Sequence, residues 1–152
     1  MAGQIDAHHM RLFLTALLLI ATLSAHPALA GGITGPATVT DGDSIKIDGQ
    51  RIRIHGIDAP EKKQTCTYPS GEKWLCGSAA TAYMADLVAG QTVTCEERDV
   101  DHYGRVVAVC HAAGTDIGKA MVHHGLALAY RRYSGDYVAT EDVARVYAAV
   151  TN

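Results

Sequence analysis

The sequence predicts an α+β fold, in which five short strands form a small, partly open barrel and three helices pack on it. Alternating apolar segments flank two sets of turn residues, Asp48-Gly49 and residues 99–104, as they do in β-hairpins. Elsewhere, apolar residues recur at intervals of three and four, which is typical of amphipathic helices. The 152 residues are enough for one domain of ordinary size.

The first 36 residues are expected to lie outside this domain. Residues 1–30 resemble a signal peptide, with Arg11, an apolar run over residues 12–23 and the cleavage pattern Ala28-Leu29-Ala30. The run is shorter than the ~20 residues that span a bilayer, which leaves a short membrane anchor as the alternative. Residues 31–36 are predicted to be a flexible lead-in to a main domain over residues 37–152. The protein is therefore expected to be exported, periplasmic or secreted, with no membrane association after cleavage.

Charge and cysteine content limit the possible functions. The formal net charge is −3, whereas proteins that bind nucleic acid non-specifically are usually basic, so any basic site must be local. Four cysteines after a signal peptide indicate two disulfides among three possible connectivities. The lack of C-x-x-C spacing argues against zinc. Consecutive strands carry Cys95 and Cys110, which favours the pairs Cys95–Cys110 and Cys66–Cys76.

The first hairpin has a predicted register. Residues 37–40 begin a strand, residues 44–47 continue it after Asp41-Gly42-Asp43, and residues 50–54 return after the Asp48-Gly49 turn. A two-residue turn pairs Ile47 with Gln50, Ile45 with Ile52 and Ser44 with Arg53. The register brings Asp43 near Arg53, but the alternation of side chains leaves open which way Asp43 points.

The other elements follow from capping and periodicity. A polar loop over residues 61–77 leads to a helix over residues 79–89, with Ser78 as N-cap and Gly90 at C′. Strands are predicted over residues 91–98 and 105–111. Thr115-Asp116 caps a helix over residues 117–124, in which Gly118 is unfavourable. A last helix over residues 137–150 is expected to turn one apolar face inward, formed by Val143, Val146, Tyr147 and Val150.

The chemistry is concentrated around the segment from Gln50 to Glu61. Asp43 and Asp58 supply hard oxygen ligands of the kind that suits Ca²⁺. Glu61, three residues after Asp58, can act as a general base on a water. Arg53 and Arg105 are forked cations that can hold a phosphate. Together, these groups predict phosphodiester hydrolysis.

Each group also has an ordinary structural explanation. Asp-Gly-Asp is most often a turn, an arginine on an exposed strand face is usually solvated, and Asp-x-Pro-Glu can begin a helix. The tyrosines over residues 130–137 are more often packing residues than a platform for bases. The histidines have no chelating spacing.

The order of four motifs is more specific. D-G-D-S, R-I-H-G-I-D-A-P-E, D-H-Y-G-R and H-H-G-L-A together resemble the staphylococcal nuclease (thermonuclease) family over residues 39–150. The four cysteines are in keeping with an exported bacterial branch of it. The resemblance implies a five-stranded OB-type β-barrel with three helices. The chain differs from the type member of this family at Ser44 and Ala59, which replace threonines, and at His102, which replaces a lysine.

The resemblance also implies roles for individual residues. Asp43, Asp58 and the carbonyl of Ala59 would be calcium ligands. Glu61 would be the general base, and Arg53 and Arg105 would bind the scissile phosphate and stabilise the transition state. Tyr103 and Tyr130 would line the nucleotide site.

The sequence thus predicts an exported, Ca²⁺-dependent endonuclease that cuts DNA and RNA with little sequence specificity. No protein partner is implied, and a monomer is expected. One alternative is a non-catalytic OB-type module that binds nucleic acid, which leaves the paired arginines and carboxylates unexplained. Another alternative is a stress or adhesion protein that disulfides stabilise, which only the cysteines support.

Overall fold

The computed structural model describes residues 32–151 as a β-barrel with helices packed on it. Its thirteen elements follow in chain order: β1 (Ile33–Asp41), β2 (Ser44–Ile47), β3 (Gln50–Ile54), β4 (Ile57–Asp58), β5 (Cys66–Thr67), β6 (Lys73–Trp74), α1 (Cys76–Val88), β7 (Thr92–Val100), β8 (Val106–Ala112), β9 (Thr115–Asp116), α2 (Ile117–His123), β10 (Leu128–Ala129) and α3 (Val138–Thr151). The predicted signal peptide, residues 1–30, lies outside the described residues.

Five strands form the barrel, in the order β3-β2-β1-β7-β8. Neighbours in this order are antiparallel, and β3 also pairs in parallel with β8, which places Arg53 opposite Val107. This last pairing closes the sheet, so the barrel is closed rather than partly open. Closure leaves β3 and β8 with no free edge between them. The predicted five-stranded OB-type barrel with three helices is confirmed.

The first hairpin has the predicted register. Ile47 pairs with Gln50, Ile45 with Ile52 and Ser44 with Arg53. Asp48 and Gly49 have φ values of 48° and 78°. A tight type I′ turn requires positive φ at both central residues, so the Asp-Gly pair sets this register locally. The isoleucines of this hairpin are fully buried in the barrel core: Ile45, Ile47, Ile52 and Ile54.

The predicted flexible lead-in is not separate from the barrel. Residues 33–36 form the first part of β1 and pair with residues 92–95 of β7. The prediction is wrong there because Gly35 suits a strand that packs tightly: a Cβ at this position would lie 2.9 Å from the Ile47 side chain. Gly35 was one of the glycines from which flexibility was predicted, but in the structure it allows close packing of β1 against Ile47.

Both expected disulfides are formed. Cys95 and Cys110 face each other across the β7–β8 pair, with Cα atoms 4.0 Å apart. Cys66 of β5 is bonded to Cys76, the first residue of α1. One disulfide therefore lies within the barrel, and the other fastens the 61–75 loop to a helix.

The start of α1 differs from the prediction. The helix begins at Cys76, and Ser78 is not its N-cap, because the Ser78 hydroxyl donates to the carbonyl of Lys62 at 3.3 Å. The preceding loop, held by the Cys76 disulfide, provides the contacts that a capping side chain would otherwise make. The predicted C′ glycine, Gly90, has φ 67° and fits that position.

The second helix is capped as predicted. The Asp116 carboxylate accepts a hydrogen bond from Lys119 N at 2.9 Å. Gly118, which is unfavourable in a helix, has a packing reason. A Cβ at Gly118 would lie 3.0 Å from the ring of Tyr137, whose hydroxyl donates to Asp116. The glycine therefore lets Tyr137 pack against α2.

The orientation predicted for the last helix is wrong. Val143, Val146 and Tyr147 are 50%, 63% and 67% exposed, and the side chain of Val150 lies outside the described set. Among the described side chains of α3, the buried one is Glu141. The Glu141 carboxylate accepts a hydrogen bond from the backbone N–H of Ala129 at 3.1 Å.

Two arginines complete the surroundings of Glu141. Arg131 lies 3.4 Å from one carboxylate oxygen, and Arg145 pairs with the other. A buried carboxylate needs such partners, and they determine which face of α3 is turned toward β10. Among residues 32–151, no helix is both long enough and apolar enough to cross a membrane.

We expect Glu141→Ala to lower the free energy of unfolding by about 2–3 kcal/mol, because it leaves the buried Ala129 N–H without an acceptor. Urea unfolding of both proteins measures the difference. Asp142→Ala removes the neighbouring, exposed carboxylate and should cost less than about 1 kcal/mol. Equal losses for the two variants would contradict the role assigned to Glu141.

Candidate active site

Arg53 links the predicted site residues. Its Nη1 donates to Asp43 Oδ1 at 3.1 Å, while its Nη2 lies 2.9 Å from Asp43 Oδ2. The same Nη2 also donates to Asp58 Oδ1 at 3.0 Å. The structure therefore brings Arg53, Asp43 and Asp58 together around one guanidinium. The β2–β3 register accounts for the first contact, and the tight turn at residues 55–56 accounts for the second.

The direction of Asp43, which the sequence left open, is inward. Asp43 is buried and also accepts hydrogen bonds from the Ser44 hydroxyl at 3.0 Å and from Ala59 N at 3.2 Å. Burial raises the pKa of Asp43 to about 6, although Arg53 and the Ala59 N–H act in the opposite direction. The carboxylate is therefore only partly compensated by its protein partners.

Close packing brings the two acidic segments together. A Cβ at Gly42 would lie 2.8 Å from the Cβ atoms of both Ala59 and Ala80. Gly42 is therefore needed where the Asp-Gly-Asp turn meets the 58–61 segment and α1. The sequence indicated a turn at this glycine but gave no sign of these contacts.

Arg105 is held by a carboxylate that the sequence analysis missed. Its Nε donates to Asp101 Oδ2 at 2.7 Å, and Asp101 Oδ1 accepts from the backbone N–H groups of Tyr103 and Arg105. Burial would raise the pKa of Asp101, but these hydrogen bonds and the Arg105 charge outweigh it and lower that pKa. The available signal was the D-x-x-x-R spacing within the D-H-Y-G-R motif.

Both arginines and both predicted tyrosines line one open cleft of about 690 Å³. The ring of Tyr103 is exposed, and the Arg105 guanidinium carbon lies 5.4 Å from its centroid. Tyr130 meets Tyr133 edge to face, with ring centroids 4.8 Å apart. Side chains that the sequence analysis did not assign to a site also line the cleft: His55, Arg98, Asp99, His102 and Tyr133.

Glu61 is placed differently from the arginines. Its side chain is exposed, and it is not among the described residues that line the cleft or that form ion pairs with Arg53 or Arg105. Its backbone, however, is fixed. Glu61 N donates to Gln64 Oε1 at 3.2 Å, and Glu61 O accepts from Gln64 N at 2.7 Å.

The start of α1 supports the same loop. Gly77 N donates to Gln64 O at 3.2 Å, and a Cβ at Gly77 would overlap the carbonyl oxygen of Glu61. Gln64 and Gly77 therefore position the segment that carries Glu61. No motif indicated either residue, because the contact joins parts of the chain that the Cys66–Cys76 disulfide brings together.

The fold and the cleft define an OB-type barrel protein with an arginine-lined cleft. The family model of the staphylococcal nuclease homologues matches residues 51–149, well over half of the chain. The chain belongs to the staphylococcal nuclease family.

Several curated proteins are similar to the chain. It is 39% identical over 114 residues to the succinoglycan biosynthesis protein ExoI of Rhizobium meliloti, covering 73% of this chain and 60% of that protein. It is 36% identical to an uncharacterized endonuclease of Escherichia coli and 34% identical to a micrococcal nuclease of Shigella flexneri. Those matches cover 79% and 82% of this chain and 76% and 71% of the relatives. The family and two of these names support a nuclease.

We expect Gly77→Ala to lower the free energy of unfolding by about 1–3 kcal/mol, because the added methyl group displaces the Glu61 carbonyl. Trypsin should also cut after Lys62 and Lys63 faster than in the unaltered protein, which gel analysis of a time course measures. Gly135→Ala is the control, since nothing lies within 4 Å of its added Cβ and its φ is not positive. Unchanged stability and loop cleavage in Gly77→Ala would contradict the contact.

The lowered pKa of Asp101 predicts a dependence of stability on pH. Its folded-state pKa lies below the unfolded value, so its stabilising effect is complete above about pH 4–5 and is lost as pH falls through the folded pKa. We expect Asp101→Asn to be less stable than the unaltered protein at pH 6 and to approach it in stability as the pH falls below the ordinary pKa of an aspartate, about 4.

Urea unfolding at a series of pH values measures this difference. Asp86→Asn, an exposed change on α1, serves as the control and should be close to neutral throughout. A stability difference for Asp101→Asn that is the same at every pH would show that the Asp101 charge does not stabilise the loop.

Proposed function

We propose that the protein is a Ca²⁺-dependent endonuclease that hydrolyses phosphodiester bonds in DNA and RNA with little sequence specificity. The observation that carries the proposal is the pair of arginines, Arg53 and Arg105, which line one cleft and are each held by carboxylates. Membership of the staphylococcal nuclease family supports the same reaction.

In this proposal the arginines bind the scissile phosphate. A guanidinium presents parallel N–H donors that match two phosphate oxygens. Asp101 holds Arg105 through Nε, which orients its two terminal nitrogens before substrate arrives. Asp43 and Asp58 occupy both terminal nitrogens of Arg53, so a phosphate would replace one of these carboxylates on Arg53. Such oriented donors stabilise the charge that grows on the phosphate oxygens in the transition state.

Glu61 is the proposed general base. It would take a proton from a water whose oxygen attacks phosphorus, as the bond from phosphorus to the leaving oxygen breaks and solvent supplies a proton to that oxygen. The backbone bonds between Glu61 and Gln64 support this role, because they hold the turn that carries the base. The exposed position of the side chain gives it access to water.

The residues present fit a calcium ion. The proposed ligands are Asp43, Asp58 and the Ala59 carbonyl, all hard oxygen donors. The burial of Asp43, which raises its pKa, supports the fit, since Arg53, the Ser44 hydroxyl and the Ala59 N–H compensate this carboxylate only partly. When bound, the ion would act as a Lewis acid on a phosphate oxygen.

The binding should be weak. Within residues 32–151, no three His, Cys, Asp or Glu side chains gather around one point, so carbonyl oxygens and water would have to complete the coordination. Sites of this kind have dissociation constants in the ~0.1–1 mM range. A millimolar requirement for Ca²⁺ follows from the proposal.

Low sequence specificity is supported by the chemistry of the cleft. Tyr103 and Tyr130 offer ring faces, on which every base can stack. Tyr103 and Tyr130 would line the nucleotide site. A monomer acting without a protein partner is the simplest arrangement, because the proposed groups all come from one chain.

Export is also part of the proposal. Both pairs of cysteines are bonded, which suits an oxidising compartment such as the periplasm or the medium. The predicted signal peptide would direct the chain there. N-terminal sequencing of the exported protein tests the proposal: a start near residue 31 supports it, and retention of residues 1–30 opposes it.

We expect the protein to degrade plasmid DNA and RNA in millimolar Ca²⁺, and we expect this degradation to stop when a chelator is added. Glu61→Gln should reduce the cleavage rate by about 10²–10⁴, because the amide cannot accept the proton from water. Gel assays and initial rates measure both effects. Glu97→Gln, which alters an exposed carboxylate of β7, is the matched control and should keep the original rate.

Cleavage that continues in chelator would refute the calcium assignment. Full activity of Glu61→Gln would refute its role as base. If the protein binds single strands in chelator but cleaves nothing in Ca²⁺, it is the non-catalytic binding module instead.

A further inference from the structure

The loop that follows Glu61 carries most of the lysines in the chain. Three of the five lysines, Lys62, Lys63 and Lys73, lie within residues 62–75, and Glu72 is the one acidic residue of that stretch. This local excess of positive charge stands out because the whole chain has a net charge of −3. We call residues 62–75 the lysine hairpin.

The lysines of this hairpin are available to a ligand. All three are exposed. Within the described part of the chain, each of the recorded ion pairs joins an arginine or a histidine to a carboxylate, so these ammonium groups have no carboxylate partner. The hairpin therefore presents uncompensated positive charge next to the proposed base.

An aromatic pair lies on the same hairpin. The rings of Tyr68 and Trp74 are stacked, with centroids 5.4 Å apart and an interplanar angle of 18°. Tyr68 remains 46% exposed. Bases stack on ring faces of this kind, whereas lysines contact phosphates, and the combination is typical of surfaces that bind single strands.

The lysine hairpin has regular backbone pairing and is not an irregular loop. Strands β5 and β6 pair Cys66 with Trp74 and Thr67 with Lys73. Tyr68 N donates to Glu72 O at 2.8 Å, closing the turn, and the Cys66–Cys76 disulfide joins the hairpin to α1. A braced surface loses little conformational entropy when it binds a ligand.

We propose that the lysine hairpin is a second binding surface for the single-stranded polynucleotide, outside the scissile linkage. Lys62, Lys63 and Lys73 contact phosphates of the strand, and Tyr68 stacks on a base. Because Lys62 directly follows Glu61, a strand whose scissile phosphate lies beside Glu61 continues onto this surface. The arginine cleft is lined by other segments, so the two surfaces are separate. The proposal rests on the proposed nuclease function and adds to it a surface that holds the chain outside the scissile linkage.

Binding is tested first, in chelator, so that the strand is not cut. Fluorescence anisotropy with a single-stranded DNA 20-mer gives Kd at several salt concentrations for the full protein and for the double variant K62Q/K63Q. Each phosphate contact contributes about 0.7 to the slope of log K against log salt for single strands. Loss of two contacts should therefore reduce the slope by about 1.4 and weaken binding several-fold at low salt.

The matched control removes two exposed lysines elsewhere. K46Q/K119Q has the same change in net charge, and its slope should equal that of the unaltered protein. Tyr68→Ala should weaken binding by about fivefold or more through lost stacking, with an unchanged slope. Thermal melts confirm that each variant is folded. Equal slopes for the two double variants, or no measurable binding by the unaltered protein, would overturn the proposal.

Cleavage then separates this proposal from the proposed function. The value of kcat/KM is measured in Ca²⁺ for the 20-mer and for a mononucleotide nitrophenyl ester, which is too small to reach the hairpin. The ratio of the two values should fall several-fold in K62Q/K63Q and stay constant in K46Q/K119Q. If the unaltered protein cuts neither substrate, the nuclease function fails, whereas the binding result still stands. If it cuts both and the ratio in K62Q/K63Q is unchanged, the hairpin proposal fails alone.

Discussion

The guanidinium of Arg53, bonded to both Asp43 and Asp58, is the interaction on which the rest of the site depends. One carboxylate arrives through the β2–β3 hairpin and the other through the turn after β3. The parallel pairing of β3 with β8 places Arg53 opposite Val107, two residues after Arg105. Closing the barrel thus brings two arginines to the same cleft, although they are far apart in sequence.

Buried or half-buried carboxylates organise several parts of the molecule. Asp43 holds Arg53, Asp101 holds Arg105, and Glu141 holds Arg131, Arg145 and the β10 backbone. A desolvated carboxylate is costly without partners, so each one fixes the geometry of the groups around it. In Asp43 this compensation is incomplete, and burial raises its pKa.

The distribution of charge matters more here than its sum. The chain is acidic overall, yet three arginines line the cleft and three lysines lie on the lysine hairpin. A compact nuclease can in this way attract a polyanion locally and still carry a net negative charge. The disulfides brace both parts, one within the barrel and one at the base of the hairpin.

Features set by neighbouring residues, or by the alternation of side chains along a strand, could be predicted from the sequence. Asp48-Gly49 fixed the first register through its turn geometry, Asp116 capped α2, and strand neighbours predicted the Cys95–Cys110 bond. The burial of Asp43, the start of α1 and the inward face of α3 could not be predicted in this way. Each of these depends on contacts between segments distant in sequence, such as Ala59 with Asp43 or Ala129 with Glu141. Apolar periodicity favoured Val143 and Val146 for the inner face of α3. Periodicity cannot predict the burial of the Glu141 carboxylate, because that burial depends on a backbone N–H and two arginines that bind it.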